Sequence, residues 1–201
     1  VVAGASTAKN TIFYSGTSDI DDFTTSGSGS IVLDDQVVGL KSFRDELFIF
    51  CRNSIYKLQN INNASTIAVV PVTKNVGCVD GKTIQEFAGD LIFLAPDGFR
   101  TIAGTARIGD VELGTISKAI QPIVNKILNS AFTFEFSSVV LRDKSQYRMY
   151  YSSDTQSTAN SKGIIGTLTS RGFEWSETLG IQAPAVASGF NAAGREKMYH
   201  G

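Results

Sequence analysis

Residues 87–102 read FAGDLIFLAPDGFRTI, and our prediction of the fold starts from this stretch. The run LIFL (91–94) is apolar but too short for a buried helix, and FRTI (99–102) alternates apolar with polar residues. Between the two runs, APDG (95–98) has the composition of a tight turn, in which Asp-Gly supplies a positive φ. The stretch therefore predicts a β-hairpin.

The same pattern occurs earlier in the chain, in FRDELFIFCRNSIYKL at residues 43–58. The two stretches align without a gap, at an offset of 44 positions, so that apolar runs and turns coincide. The predicted structural positions of the hairpins and their turns are Phe43, Asp45, Leu47 and Asn53 in the first copy and Phe87, Asp90, Leu91, Asp97 and Gly98 in the second. A repeat of about 40–50 residues that carries several strands is typical of propeller blades. Only two of the sixteen aligned residues are identical, so two unrelated hairpins remain the alternative.

The rest of the chain predicts more strands and one helix. Strands are predicted at 10–15, 31–33, 67–70, 76–79 and 131–136, and hairpins at 139–151, 163–175 and 185–199. Apolar residues at spacings of three and four predict an amphipathic helix over Ser117–Leu128, with Ser117 as N-cap. Pro122 fits this helix only near the first turn, and otherwise kinks or shortens it. We expect the helix to cover sheet edges.

The predicted fold class is all-β, with β-propeller-like blades of antiparallel hairpins that make a partial propeller and one inserted helix near 117–128. We expect residues 1–201 to form a single domain that is a segment of a longer chain. The 201 residues are 42% hydrophobic and 18% charged, which suits a folded chain with a sizeable core. Cys51 and Cys78 lie next to apolar residues and are predicted to be buried free thiols, with a disulfide as the alternative.

Charge and hydropathy argue against two classes of partner. The net charge is −1, from 18 basic and 19 acidic side chains, so the chain lacks the basic bias of nucleic-acid-binding proteins. No apolar run reaches the roughly 20 residues of a membrane span. We therefore predict neither sequence-specific DNA binding nor a membrane span.

The side chains that could take part in catalysis or bind a metal do not form a recognisable catalytic set. His200 is the single histidine, which argues against Ser-His-Asp and Cys-His catalysis. The densest acidic group is Asp19, Asp21 and Asp22, which predicts a solvated loop, with a calcium loop as the alternative. We predict no enzymatic activity, no catalytic residue, no metal and no cofactor.

Two further sets of residues are candidate sites. A glycosidase needs two facing carboxylates, and strand edges carry four candidates, Glu86, Asp90, Glu135 and Glu174. A carboxylate at a strand edge is ordinary, so this interpretation is the weaker one. The aromatic side chains that could stack on sugars or bases are Tyr147, Tyr150, Tyr151 and Trp175. Their spacing along strands favours a role in the core instead.

Several stretches come in a characteristic order: NTIFYSGTSDIDDF (10–23), VVGLKSFRDELFIFCRNSIYKL (37–58), VGCVDGKTIQEFAGDLIFLAPDGFRTI (76–102) and ISKAIQPIV (116–124). This order resembles bacteriophage tail proteins of the tail-nozzle, or tail tubular protein B, type. The matching motifs are Tyr14-Ser15 with Asp22-Phe23, and the two hairpins of the repeat. The resemblance covers roughly residues 10–128, and members of the family are much longer than this chain.

The resemblance implies a structural subunit of the phage tail, placed in the virion after assembly in the bacterial cytoplasm. Identical copies would form a homo-oligomeric ring, in contact with other tail and adaptor proteins, through whose lumen DNA is ejected. The polar loops 16–30 and 152–162 are candidates for subunit contacts, with Asp19, Asp21, Asp22 and Phe23 as contact residues. Two alternatives stay open: a propeller-type module that binds protein partners, and a carbohydrate-active propeller enzyme.

Overall fold

The structure is a computed structural model, and it describes residues 1–16, 20–24, 26–61, 63, 65–103, 115–130, 134–152 and 162–201. It is mostly β, with 54% strand and 12% helix, and its sheets are antiparallel, which confirms the all-β class with one helix. The propeller-like arrangement of the blades stays a prediction. By its internal contacts the chain divides into two compact units, Val1–Gly81 and Lys82–Gly201. The single domain over 1–201 stays a prediction.

The first unit contains two antiparallel sheets. Its strands are β1 (Val2–Ala5), β2 (Ala8–Tyr14), β3 (Gly29–Val32), β4 (Val37–Phe43), β5 (Glu46–Cys51), β6 (Ile55–Gln59) and β7 (Ala68–Thr73). Strand β2 lies between β1 and β3, whereas β4 to β7 pair in chain order as a four-stranded meander. Strand β1 lies in a stretch of small residues that predicts no strand, because it lacks the large apolar side chains typical of strands.

Apolar side chains from both sheets of the first unit pack into one core, whose buried members are Ile12, Leu33, Val37, Ile49, Cys51, Tyr56 and Leu58. Cys51 and Cys78 are buried free thiols, as predicted. The strand predicted at 76–79 is wrong, because these residues are irregular. The backbone N–H of Cys78 donates to the carbonyl oxygen of Cys51 at 2.8 Å, so the segment is tied to the end of β5 without forming a strand.

The second unit contains three sheets among its described residues, and a helix. Its strands are β8 (Gln85–Phe87), β9 (Asp90–Ala95), β10 (Gly98–Thr101), β11 (Glu135–Leu141), β12 (Gln146–Ser152), β13 (Lys162–Thr169), β14 (Gly172–Leu179), β15 (Val186–Phe190) and β16 (Glu196–His200). Strands β8 to β10 and β11 to β14 are meanders, and β15 pairs with β16. The hairpins predicted at 139–151, 163–175 and 185–199 are therefore confirmed.

The two copies of the predicted repeat have the same strand register. Two cross-strand pairs of the first copy recur in the second at an offset of 44 positions. Phe43 opposite Glu46 corresponds to Phe87 opposite Asp90, and Phe50 opposite Ile55 corresponds to Leu94 opposite Phe99. The first turn of each copy also has the same backbone, with positive φ at both central residues. The values are +50° and +62° at Arg44 and Asp45, and +53° and +77° at Ala88 and Gly89. The repeat is thus a repeat of structure as well as of sequence pattern.

The helix begins later than predicted. A 3₁₀ turn spans Lys118–Ile120, and the α-helix α1 follows over Gln121–Asn129, so that Pro122 falls in its first turn. Ser117 makes no side-chain hydrogen bond as a cap. Instead, its Oγ accepts a hydrogen bond from the backbone N–H of Phe99 at 3.0 Å. The predicted N-cap is therefore wrong, because a tertiary partner in β10 takes the hydroxyl.

Aromatic side chains form the core of the second unit. Tyr147, Tyr150 and Tyr151 are buried, which confirms their predicted role in the core. The Trp175 ring stacks on the Phe99 ring at a centroid distance of 4.9 Å, and its Nε1 donates to the Ile116 carbonyl at 2.9 Å. Of the predicted strand 131–136, residues 131–133, including Phe132, lie outside the described residues, and β11 begins at Glu135.

Candidate functional site

The turn that follows β5 is held by a carboxylate from outside the repeat. The backbone N–H of Asn53 donates to Asp35 Oδ2 at 2.6 Å, and the Ser54 hydroxyl donates to the same oxygen at 2.9 Å. Asn53 is thus a turn residue whose backbone is bound by Asp35. An acidic side chain that accepts several donors stabilises a turn, and its geometry does not require a ligand.

The equivalent turn in the second copy contains an ion pair with a buried arginine. Arg100 is only 1% exposed, and its Nε donates to Asp97 Oδ1 at 2.9 Å, while its Nη2 donates to Asp97 Oδ2. The backbone carbonyl of Asp97 also accepts a hydrogen bond at 3.1 Å from Nε2 of Gln121, the first residue of α1. Asp97 therefore joins the turn to both a buried cation and the helix.

Four further predicted hairpin positions are buried or hydrogen-bonded. Phe43, Phe87 and Leu91 are buried. Asp90 Oδ1 accepts the backbone N–H of Leu91 at 2.8 Å, and Asp90 Oδ2 accepts that of Ala103 at 3.0 Å. These contacts stabilise the hairpins of the repeat. They also give a structural role to Asp90, which is one of the four carboxylates that are candidates for a glycosidase.

The predicted contact loop presents an exposed apolar side chain beside acidic ones. Ile20 is 81% exposed and Phe23 is 36% exposed. Asp22 Oδ1 accepts the backbone N–H of Thr24 at 2.7 Å and its hydroxyl at 2.6 Å, which shapes the turn after Phe23. Asp19 lies outside the described residues, and so do residues 153–161 of the second predicted contact loop.

The second unit has a pocket of about 360 Å³ between α1 and the strands β12, β13 and β14. The described residues that line it are Ile123, Lys126, Ile127, Ser130, Phe134, Tyr151, Lys162 and Glu177. Strand pairing brings Tyr151 directly opposite Lys162, and Glu177 lies opposite Ile164 on the same sheet face. The helix contributes the apolar wall and Lys126, so the pocket combines apolar surface with charged groups at its edge.

Tyr151 stays a neutral hydroxyl in this pocket over the physiological pH range. Burial of the phenol, the negative charge of Glu177 and the hydrogen bond to Glu177 together raise the pKa of Tyr151 to about 12. A neutral phenol can donate and accept hydrogen bonds, and it carries no negative charge. Two lysine ammonium groups and an apolar wall suit an occupant that carries carboxylates next to apolar side chains.

Sequence reasoning did not predict this pocket. Lys126 is one of two charges on the predicted helix, and Lys162 ends a polar loop, so each reads as an ordinary solvated charge. The pocket forms only because α1 packs near β12 to β14, which come later in the chain. The only local signal was the amphipathic helix itself, whose apolar face had to cover another element.

No known protein family matches the chain, and no curated protein matches it. The described residues contain no group of three or more His, Cys, Asp or Glu side chains that is placed to hold a metal ion. Within the same residues, every helix is too short or too polar to cross a bilayer.

Proposed function

We propose that this chain is a propeller-type structural subunit of a bacteriophage tail, of the nozzle or tubular type, that assembles into a ring through which DNA is ejected. The order of its sequence motifs supports the phage-tail part of the proposal. The regular return of antiparallel sheets along the chain supports the propeller part.

The spacing of the sheets is the observation that carries the proposal. The first strands of four successive sheets, β4, β8, β11 and β15, begin at Val37, Gln85, Glu135 and Val186, which are 48, 50 and 51 positions apart. Propeller repeats have periods of about 40–50 residues, with four strands in each blade. Each interval here holds one meander, which is what successive blades require.

Strands β8 to β10 also have a rudimentary fourth neighbour. Arg100 of β10 forms an isolated antiparallel bridge with Thr115. Beside it, the backbone N–H of Ile116 donates to the Phe99 carbonyl at 2.9 Å. The sheet therefore continues for one short step beyond β10, in the position that the outer strand of a blade occupies.

Exposed apolar side chains support assembly. Within the described part of the chain, four large apolar residues on strands are more than half exposed: Val32, Leu179, Phe190 and Tyr199. Scattered single residues of this kind are normal, but Phe190 and Tyr199 both lie on the hairpin of β15 and β16. A two-stranded sheet has two edges that can pair further, so this hairpin is suited to contact with another chain.

The proposal is tested by the mass of the particles that the purified protein forms at micromolar and nanomolar concentrations, which mass photometry measures. Electron microscopy of the same particles then shows their shape. We expect a discrete oligomer with a central opening. A monomer at all concentrations, absent from virions, would exclude the ring subunit. A monomer that captures peptides would favour the interaction module, and glycan hydrolysis that is lost in Glu86→Gln or Glu135→Gln would favour the enzyme.

A further inference from the structure

We propose that the pocket between α1 and strands β12 to β14 receives the segment Ile20–Phe23 of a second copy of the chain. This inference rests on the proposed function, because it names the two surfaces through which identical subunits would join. A contact between two different surfaces of identical chains is heterologous, and such contacts generate rings when the rotation closes.

The apolar parts of the two surfaces match in kind and size. Ile20, at 81% exposed, is among the most exposed large apolar side chains of the described residues, and Phe23, which directly follows the intervening pair of aspartates, is partly exposed. The pocket offers about 360 Å³, with Ile123, Ile127 and Phe134 in its lining. That volume admits one or two large apolar side chains, which would leave water on docking.

The charges of the two surfaces are opposite. Ile20 and Phe23 flank Asp21 and Asp22, so the segment carries two negative charges. The pocket edge carries Lys126 and Lys162, and neither has an ion-pair partner among the described residues. Among the described residues of the lining, Glu177 is the single acidic one, and it is hydrogen-bonded to the Tyr151 hydroxyl. Opposite potentials on two surfaces select the correct partner and orient it on approach.

The first test reverses the charges of each surface. We expect Asp21→Lys with Asp22→Lys, and separately Lys126→Glu with Lys162→Glu, to weaken self-association by about tenfold or more, and the fourfold variant to regain it. Thr24→Ala is the control for the loop, since it removes the hydroxyl bond to Asp22 without changing charge. Lys118→Glu with Lys144→Glu is the control for the pocket, since both lysines are exposed and outside its lining.

The second test uses a labelled synthetic peptide with the sequence GTSDIDDFT of residues 16–24, whose binding to the protein is measured by fluorescence anisotropy. We expect it to bind the wild-type protein and to bind the Lys126→Glu, Lys162→Glu variant about tenfold more weakly. A peptide with lysine in place of all three aspartates should prefer the variant. Thermal melts of each variant establish that the fold is retained.

The outcomes separate the inference from the proposed function. A wild-type oligomer that is unaffected by either charge reversal would overturn the inference and leave the ring subunit standing. A monomeric wild-type protein would overturn the ring subunit, and peptide binding would then decide whether the pocket recognises the segment. A peptide that binds wild-type and variant protein equally would overturn the inference in either case.

Discussion

At the scale of single residues, Gly98 satisfies two constraints at once. Its φ is +138°, and a Cβ at this position would lie 2.6 Å from both Ser117 Oγ and Thr115 Cγ2. The first constraint disfavours any L side chain, and the second would displace the hydroxyl that accepts the Phe99 N–H. The glycine of the Asp97-Gly98 pair is thus required by backbone and packing together.

We expect Gly98→Ala to lower the free energy of unfolding by about 2–3 kcal/mol, from backbone strain and overpacking combined. Urea denaturation measures this loss. Gly172→Ala is the matched control, because its φ is +109° but nothing lies within 4 Å of the added methyl group. The control should lose only about 1 kcal/mol, from strain alone. Equal losses in the two variants would show that the contact with Ser117 and Thr115 does not constrain the site.

The ion pair of Asp97 with Arg100 makes a second prediction at this scale. Arg100 is buried, whereas the Asp97 side chain is 44% exposed. Asp97→Ala should cost about 2 kcal/mol of stability, since a buried guanidinium loses a bidentate partner. Chemical denaturation gives the value. Glu174→Ala, which breaks the exposed pair with Arg171, should cost less than about 0.5 kcal/mol, and a similar cost for both would contradict the role of burial.

Tyr151 makes stability depend on alkaline pH. Its pKa is raised from 10.0 to about 12 in the folded state, so the folded protein holds this proton more tightly than the unfolded chain. The associated stability is complete below pH 10.0 and falls as the pH rises toward about 12. The difference between wild type and Tyr151→Phe in ultraviolet absorbance titrations measures this pKa.

Glu177→Gln supplies the control for Tyr151. It should lower the Tyr151 pKa by removing the negative charge of Glu177, yet leave it above 10.0, because burial is the largest cause of the shift. An unchanged Tyr151 pKa in this variant would show that Glu177 does not act on the phenol.

At the scale of elements, the two copies of the repeat reach the same register by different local chemistry. Asp35 binds the turn at Asn53 in the first copy, whereas Asp97 pairs with Arg100 in the second. What the copies share is the run of apolar residues and the two-residue first turn. Register is set by the buried face and by the turn length, so the polar details are free to differ.

The first turn of the second copy, at Ala88 and Gly89, offers a gain in stability. Ala88 has a φ of +53°, which is unfavourable for alanine and better tolerated by asparagine. Ala88→Asn creates Asn-Gly, the preferred pair for this hairpin turn, and should raise the free energy of unfolding by about 0.5–1 kcal/mol. Ala119→Asn is the control, since Ala119 is exposed without a positive φ. A loss of stability in Ala88→Asn would contradict the turn geometry.

At the scale of the whole molecule, the near balance of charge bears on the proposed passage of DNA. With a net charge of −1, the protein should not hold phosphates by releasing counterions. In fluorescence anisotropy with labelled duplex DNA at physiological salt, we expect no binding tighter than about 1 µM. Titrations at low salt serve as the reference. Submicromolar binding at physiological salt would indicate a basic patch on the surface, whose positive charge is cancelled in the net charge by acidic side chains elsewhere.

Most strands and turns of this protein follow from its sequence alone. Short apolar runs, turn residues and the offset of 44 positions depend on side-chain periodicity and backbone preference, which are local properties. They predicted the register of the repeat and most of the hairpins. They failed where local preference was weak, as in β1, or where an apolar run was buried without a strand partner, as at 76–79.

Which polar side chains contact one another depends on the tertiary packing. Ser117 reads as a helix cap, but it accepts the N–H of Phe99 because the packing of β10 brings that donor to it. Likewise, Lys126 and Lys162 share one pocket with Glu177, although α1 and the strands β13 and β14 are far apart in sequence. Such contacts depend on how elements that are distant in sequence pack together, and the periodicity within one segment carries no information about this packing.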